Sequence, residues 1–173
     1  MNLVFIGYRG TGKTAVSEEV ARLLGRERVG MDAVLVERFG KSIPEFVAEN
    51  GWDAFRDAEA ALAAELGARD HLVIDCGGGV IVRNSNVEAL RANGRVVWLT
   101  ASVETIARRI QGDTQRPSLT GAKSFIEEIE EVLSVRRPLY SKACDHSIDT
   151  DTLPIHEVVQ AVLAWWRSET PLV

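Results

Sequence analysis

Residues 3–24 read LVFIGYRGTGKTAVSEEVARLL and join an apolar run, a glycine-rich turn and a segment of helical periodicity. The apolar run at residues 3–6 predicts a buried strand, and apolar residues at every third or fourth position predict a helix over residues 13–24. Between them, residues 7–14 match the pattern GxxxxGK[ST], which is informative only in this strand-to-helix context. The stretch therefore predicts a phosphate-binding loop at the start of an α/β fold.

Each position of this loop has a physical role. Gly10, Thr11 and Gly12 let backbone amides converge on phosphate oxygens at a helix N-terminus. Lys13 would neutralise charge on the β- and γ-phosphates, and the Thr14 hydroxyl is placed to ligate Mg²⁺. The alternative interpretation is a tight strand-to-helix turn without phosphate binding, but such a turn would need neither Lys13 nor Thr14. We therefore expect ATP and Mg²⁺ as cofactors, although such a loop also occurs in GTPases, motors and switches.

Further strand-and-helix units follow along the chain. Residues 72–74 predict a strand that leads into Gly77, Gly78 and Gly79, and residues 95–99 predict another, followed by an N-cap at Ser102. Strands that alternate with helices at this spacing imply crossover connections. The expected fold class is α/β: three α/β/α layers around a mostly parallel, five-stranded sheet.

The remaining segments predict additions to this sheet. Residues 32–39, 43–49 and 54–66 have helical character, and we interpret the interval 32–66 as a helical substrate-binding region. Residues 111–124 are rich in Gly, Thr, Pro and Ser and predict a lid loop. We expect one domain over residues 1–173.

Composition excludes several classes of function. With 173 residues, 46% of them hydrophobic, the chain can form a core without disulfides or structural metals. A net charge of -5 and a pI near 5.3 argue against binding to nucleic acid or to an anionic membrane surface. No secretory signal or long apolar run is evident, and Cys76 and Cys144 have no metal-site spacing. We expect a cytoplasmic monomer.

Arg56 and Glu59 are the first candidates for an acceptor site. They lie three residues apart on the predicted helix over residues 54–66, so their side chains share one face. That face could border a cleft. A solvated ion pair is the alternative interpretation.

The order of short motifs resembles shikimate kinase over nearly the whole chain. Apart from the phosphate-binding loop each motif is weak alone, but their order and spacing are specific. The motifs are Asp32, FRDAE at residues 55–59, GGG at 77–79, QRP at 115–117 and RRPLY at 136–140.

This resemblance implies ATP-dependent phosphorylation of the shikimate 3-hydroxyl, a step toward chorismate and aromatic amino acids. Arg56 and Arg136 match arginines that bind the substrate carboxylate, as guanidinium forks can. Asp32 matches a residue that accepts the hydroxyl's hydrogen bond and acts as base or orienter. Gly77, Gly78 and Gly79 would bring backbone amides to the ring.

The resemblance also assigns roles around the nucleotide. Lys13 and Arg116 would be catalytic, with Arg116 closing over the transferring phosphoryl group as an arginine finger. Arg109 matches a position that packs on adenine, with a solvated helix charge as the alternative. Glu59 would orient Arg56.

One position departs from the family pattern. The family typically carries DxD here, but Gly30 stands two residues before Asp32. Asp75 closes the strand over residues 72–74, where the family typically has a small residue. We hypothesise that it provides the missing outer-shell carboxylate for Mg²⁺. The alternatives are that Asp75 braces the glycine turn, or that metal affinity is weakened.

Two rival functions stay open. Another small-metabolite kinase on the same scaffold, such as a gluconate kinase, would share the loop but need not use Arg56 and Arg136 as a carboxylate clamp. A non-catalytic nucleotide-binding homologue would bind ATP without turnover.

Overall fold

The fold is built on a five-stranded parallel sheet. The structure is a computed structural model, which describes residues 1–111 and 125–170. All four neighbouring strand pairs are parallel, in the order β2-β3-β1-β4-β5. The predicted α/β class with a five-stranded sheet is confirmed. The strands are β1 (Asn2–Ile6), β2 (Glu27–Gly30), β3 (Leu72–Asp75), β4 (Gly94–Thr100) and β5 (His146–Asp149).

Seven α-helices in the described residues connect and cover these strands. They are α1 (Lys13–Leu24), α2 (Met31–Phe39), α3 (Ile43–Gly67), α4 (Asn84–Ala92), α5 (Val103–Ile110), α6 (Phe125–Ala143) and α7 (Ile155–Glu169). The Ser102 hydroxyl accepts a 3.2 Å hydrogen bond from the Thr105 amide, which confirms the predicted N-cap of α5. Within the described ranges, no helix has the length and apolar character needed to span a membrane.

The two faces of β1 pack against different helices, which makes the three layers. Leu3 and Phe5 lie in a buried cluster with residues of α1 and α7. Val4 and Ile6 lie in a second cluster, together with residues of α2, α3 and α6. Both faces of β1 are buried, so its sequence is continuously apolar rather than alternating.

Two helices contain a residue that usually interrupts a helix. The predicted segments 43–49 and 54–66 are parts of α3, interrupted at Gly51, whose φ of 84° only glycine adopts readily. Helix α6 continues through Pro138, a residue that normally disfavours a helix interior. Tertiary packing explains its persistence, because Leu133 and Tyr140, on either side of Pro138, are both buried.

Candidate active site

In the loop between β1 and α1, the side chain of Lys13 is hydrogen-bonded to the backbone of the same loop. Gly10 and Gly12 have φ values of 80° and 92°, the left-handed conformation that glycine favours. The Lys13 ammonium donates hydrogen bonds of 2.8 and 3.0 Å to the carbonyl oxygens of Gly7 and Tyr8. The side chain is 8% exposed. A positive charge is therefore held at the concave side of the loop, at the N-terminus of α1.

Thr14 and Asp75 meet at the end of β3. The Thr14 hydroxyl donates a 2.9 Å hydrogen bond to Asp75 Oδ2, because a carboxylate can only accept. This leaves the lone pairs of Thr14 Oγ1 available to a cation. Arg28 of β2 donates a 2.6 Å hydrogen bond to the same Oδ2 atom. Asp75 thus faces the phosphate-binding loop, as the sequence-based hypothesis requires, but it also has an ion-pair partner that sequence reasoning missed.

A pocket beside this loop brings together the predicted acceptor residues Asp32, Arg56, Arg136 and the three glycines. Its wall combines charged groups with apolar side chains, as small-molecule sites commonly do. The lining residues are Tyr8, Arg9, Asp32, Ile43, Trp52, Phe55, Arg56, Glu59, Gly77, Gly78, Gly79 and Arg136.

Arg56 is held in the pocket wall by a buried carboxylate. Its Nη1 atom donates a 2.7 Å hydrogen bond to Glu59, and the two side chains are only 14% and 1% exposed. The guanidinium also lies 5.3 Å from the ring centroids of both Trp52 and Phe55. Burial raises the pKa of the Glu59 carboxyl, and the Arg56 charge partly offsets this. The interpretation as a solvated pair is wrong.

The glycine loop is approached closely by two of the candidate side chains. A Cβ atom at Gly77 would lie 2.7 Å from Asp32 Oδ1, and one at Gly79 would lie 2.3 Å from the Arg56 guanidinium nitrogens. Asp32 itself lies in the first turn of α2, since β2 ends at Gly30. Glycine at these positions leaves room for both charged groups beside the loop backbone.

Tyr140 of α6 also contacts the glycine loop. Its buried hydroxyl donates a hydrogen bond to the Gly78 carbonyl oxygen, and its ring stacks on Trp98 with centroids 5.6 Å apart. Sequence reasoning included Tyr140 in the RRPLY motif without giving it a role. Because Arg136 and Tyr140 are four residues apart on α6, the helix places both on the side of the pocket.

A second pocket adjoins the phosphate-binding loop on the α7 side. It is lined by Arg109, Leu153, Pro154, Ile155 and residues of the loop itself. Arg109 donates hydrogen bonds to the Gly10 carbonyl (3.1 Å) and to the Thr150 carbonyl (2.7 Å). These bonds fix Arg109 at the loop, where a planar guanidinium beside apolar side chains suits a nucleotide base.

The remaining predicted site residue is Arg116. It lies outside the described residues, as do residues 112–124 of the predicted lid.

Comparison with known proteins identifies the family. A family model described as shikimate kinase matches residues 9–167. Shikimate kinase of Syntrophus aciditrophicus is 39% identical, covering 97% of this chain and 92% of the relative. Shikimate kinase 2 of Sodalis glossinidius is 40% identical, covering 94% and 93%.

A solved structure agrees with this assignment. Shikimate kinase from Acinetobacter baumannii, in complex with shikimate, superposes with a TM-score of 0.93 and 32% identity, covering 99% of this chain and 95% of that one. With the family match over most of its length and relatives this similar, the chain belongs to the shikimate kinase family.

Proposed function

We propose that the protein transfers the γ-phosphoryl group of ATP to the 3-hydroxyl of shikimate, with shikimate 3-phosphate and ADP as products. One observation carries the proposal: two arginines and an aspartate converge in a pocket that shares Tyr8 and Arg9 with the phosphate-binding loop. The acceptor therefore lies next to the γ-phosphate. Family membership, with a relative solved in complex with shikimate, supports the same substrate.

The charges of the pocket suit a small hydroxylated carboxylic acid. Arg56 and Arg136 offer guanidinium groups to the carboxylate, where paired hydrogen bonds are strong and geometrically selective. The Glu59 carboxylate and the rings of Trp52 and Phe55 hold Arg56 in place before substrate arrives. Such preorganisation reduces the entropic cost of binding.

Asp32 acts on the reacting hydroxyl. It accepts the hydroxyl proton while the oxygen attacks the γ-phosphorus in line, and the bond to the β–γ bridging oxygen breaks to release ADP. Lys13 stabilises the charge on the phosphates, and the family resemblance assigns Arg116 the role of a second cation at the transferring phosphoryl group. Arg109 packs against the adenine in the second pocket.

The residues around Thr14 fit Mg²⁺, which phosphoryl-transfer enzymes of this type use. Thr14 offers an oxygen whose proton already points to Asp75. Thr14 and Asp75 would hold the ion, with the Asp75 carboxylate on β3 as the outer-shell group in place of one at Gly30. The ion, when bound, neutralises charge on the β- and γ-phosphate oxygens. The residues of the phosphate-binding loop and of the acceptor pocket, rather than the ion, position ATP and the acceptor.

Asp75→Asn tests the metal assignment. We expect the Mg²⁺ concentration for half-maximal turnover to rise about 10- to 100-fold, as for other residues that support a metal through its ligands. Asparagine keeps the size of the side chain but removes its charge. Glu27→Gln is a matched control, since that exposed carboxylate pairs with Arg69 at the opposite end of β2 from Gly30. An unchanged Mg²⁺ dependence in Asp75→Asn contradicts the assignment.

Gly79→Ala tests the carboxylate clamp. An added Cβ would clash with the Arg56 guanidinium and displace it, so KM for shikimate should rise about 10- to 100-fold, the cost of one or two charge-assisted hydrogen bonds. Steady-state kinetics with shikimate and with ATP varied separately measure the effect. KM for ATP in the same variant is the internal control and should change little, because Arg56 lies in the acceptor pocket. An unchanged KM for shikimate would count against the clamp.

The experiment that tests the function is ADP release from Mg-ATP in a coupled assay, with shikimate, with gluconate and with no acceptor. Shikimate-dependent turnover is the expected result. Preference for gluconate would favour the rival kinase, and ATP binding without turnover would favour the non-catalytic homologue.

A further inference from the structure

Arg28 places a permanent positive charge beside the proposed metal site. It lies on β2, two residues before Gly30, so both residues face the same side of the sheet. Its Nη2 atom donates to Asp75 Oδ2 at 2.6 Å and its Nε atom donates to the Ser17 hydroxyl of α1 at 2.8 Å. The Ser17 hydroxyl in turn donates to the Thr14 carbonyl at 3.0 Å. Two anchored nitrogens fix the guanidinium.

The Arg28 guanidinium lies beside Gly30. A Cβ at Gly30 would lie 3.5 and 3.6 Å from Arg28 Nη1 and Nη2, at ordinary van der Waals contact. The guanidinium therefore lies just beyond the place where a residue-30 side chain would begin. Gly30 and Asp75 are in register on neighbouring strands. At this end of the two strands, β3 therefore provides the carboxylate of Asp75, and β2 provides the guanidinium of Arg28.

The pairing changes what a free divalent cation would encounter. Arg28 and Thr14 are hydrogen-bonded to the same carboxylate oxygen, so the Asp75 charge is balanced before any metal arrives. The Asp75 carboxylate is only 9% exposed, and Arg28 is 22% exposed, so water screens the pair weakly. In the described part of the chain, no group of three His, Cys, Asp or Glu residues could hold a metal ion.

We propose that Arg28 is a positioning residue that makes cation binding at Thr14 and Asp75 conditional on nucleotide. It fixes the Asp75 carboxylate beside Thr14 and cancels its charge, so that a free cation binds weakly. The triphosphate then brings the negative charge and oxygen ligands that retain the cation. The inference rests on the metal assignment within the proposed function.

The test measures Mn²⁺ binding to the nucleotide-free protein, by the electron paramagnetic resonance signal of unbound Mn²⁺. Arg28→Met should bind Mn²⁺ about tenfold more tightly than the parent protein, the effect of removing one neighbouring charge from a partly hydrated site. Arg28→Lys keeps the charge and should stay close to the parent. The double variant Arg28→Met/Asp75→Asn should lose the gain. Arg69→Met serves as the control, because Arg69 pairs with exposed Glu27 at the opposite end of β2 from Gly30.

Three results would overturn the inference: no tighter binding in Arg28→Met, an equal gain in Arg28→Lys, or a gain that survives in the double variant. Thermal denaturation checks folding, and Arg28→Gln replaces Arg28→Met if the latter is unfolded. Since the titration needs neither ATP nor acceptor, its outcome is independent of turnover. Absent shikimate-dependent activity in the parent protein would refute the proposed function separately.

Discussion

Asp32→Asn is expected to lower kcat about 10²- to 10⁴-fold, the range that a positioned general base contributes, while KM for shikimate changes much less. Asparagine has the same size and can still accept a hydrogen bond, but it cannot take the hydroxyl proton. The Asp32 carboxylate lies close to Gly77 in the acceptor pocket, and asparagine has nearly the same shape, so the variant should fit the same space. Single-turnover and steady-state kinetics would separate chemistry from binding.

The control for this variant is Asp53→Asn, an exposed aspartate on α3 that does not line the pocket. Its kinetics should match those of the parent protein. If Asp32→Asn instead raised KM and left kcat unchanged, Asp32 would be a binding group and the proton would need another acceptor.

Lys13→Met is expected to lower kcat/KM for ATP about 10²- to 10³-fold, the loss typical of removing one group that stabilises transition-state charge. Methionine preserves much of the apolar stem but removes both the charge and the hydrogen bonds to Gly7 and Tyr8. The loop should therefore lose a phosphate ligand and the bonds that hold its curvature. ATP binding by calorimetry and turnover by the coupled assay measure the two effects.

Lys41→Met is the matched control, because Lys41 is a surface lysine paired with Glu49. It should leave both ATP binding and turnover unchanged. Full activity in Lys13→Met would contradict the role of this loop in phosphoryl transfer and would favour a structural role for the turn.

Local sequence was sufficient to predict much of the site because the relevant signals are short-range. The loop at residues 7–14 lies between a strand and a helix, and its glycines adopt the left-handed conformations that explain their presence. Spacing on a helix likewise placed Arg56 and Glu59 on one face. Motif order then predicted the acceptor residues, and the fold brings them into one pocket.

The burial of the Arg56–Glu59 pair could not be predicted from the local sequence. An i,i+3 pair of opposite charges is most often solvated, and nothing in residues 56–59 reveals that the Glu59 side chain is 1% exposed. The glycine loop, from a different element, lies against this side chain, because a Cβ at Gly77 would be 3.1 Å from Glu59 Oε1. Helix α6 in turn brings Tyr140 against the same loop from 62 residues away in the chain. The continuation of helix α6 through Pro138 also depends on tertiary packing, because the low helix propensity of proline predicts a break there.

Contiguous segments of the sequence were enough to predict the α/β class, the phosphate-binding loop and the candidate acceptor residues, since periodicity, turn chemistry and motif order are local properties. The pairing of β2 with β3 in register emerges only in the folded chain, where it places Arg28 within 2.6 Å of Asp75 across 47 residues of chain. Strand order depends on how the helices pack on both faces of the sheet. The charge at the strand ends beside Thr14 therefore became visible only in the assembled fold.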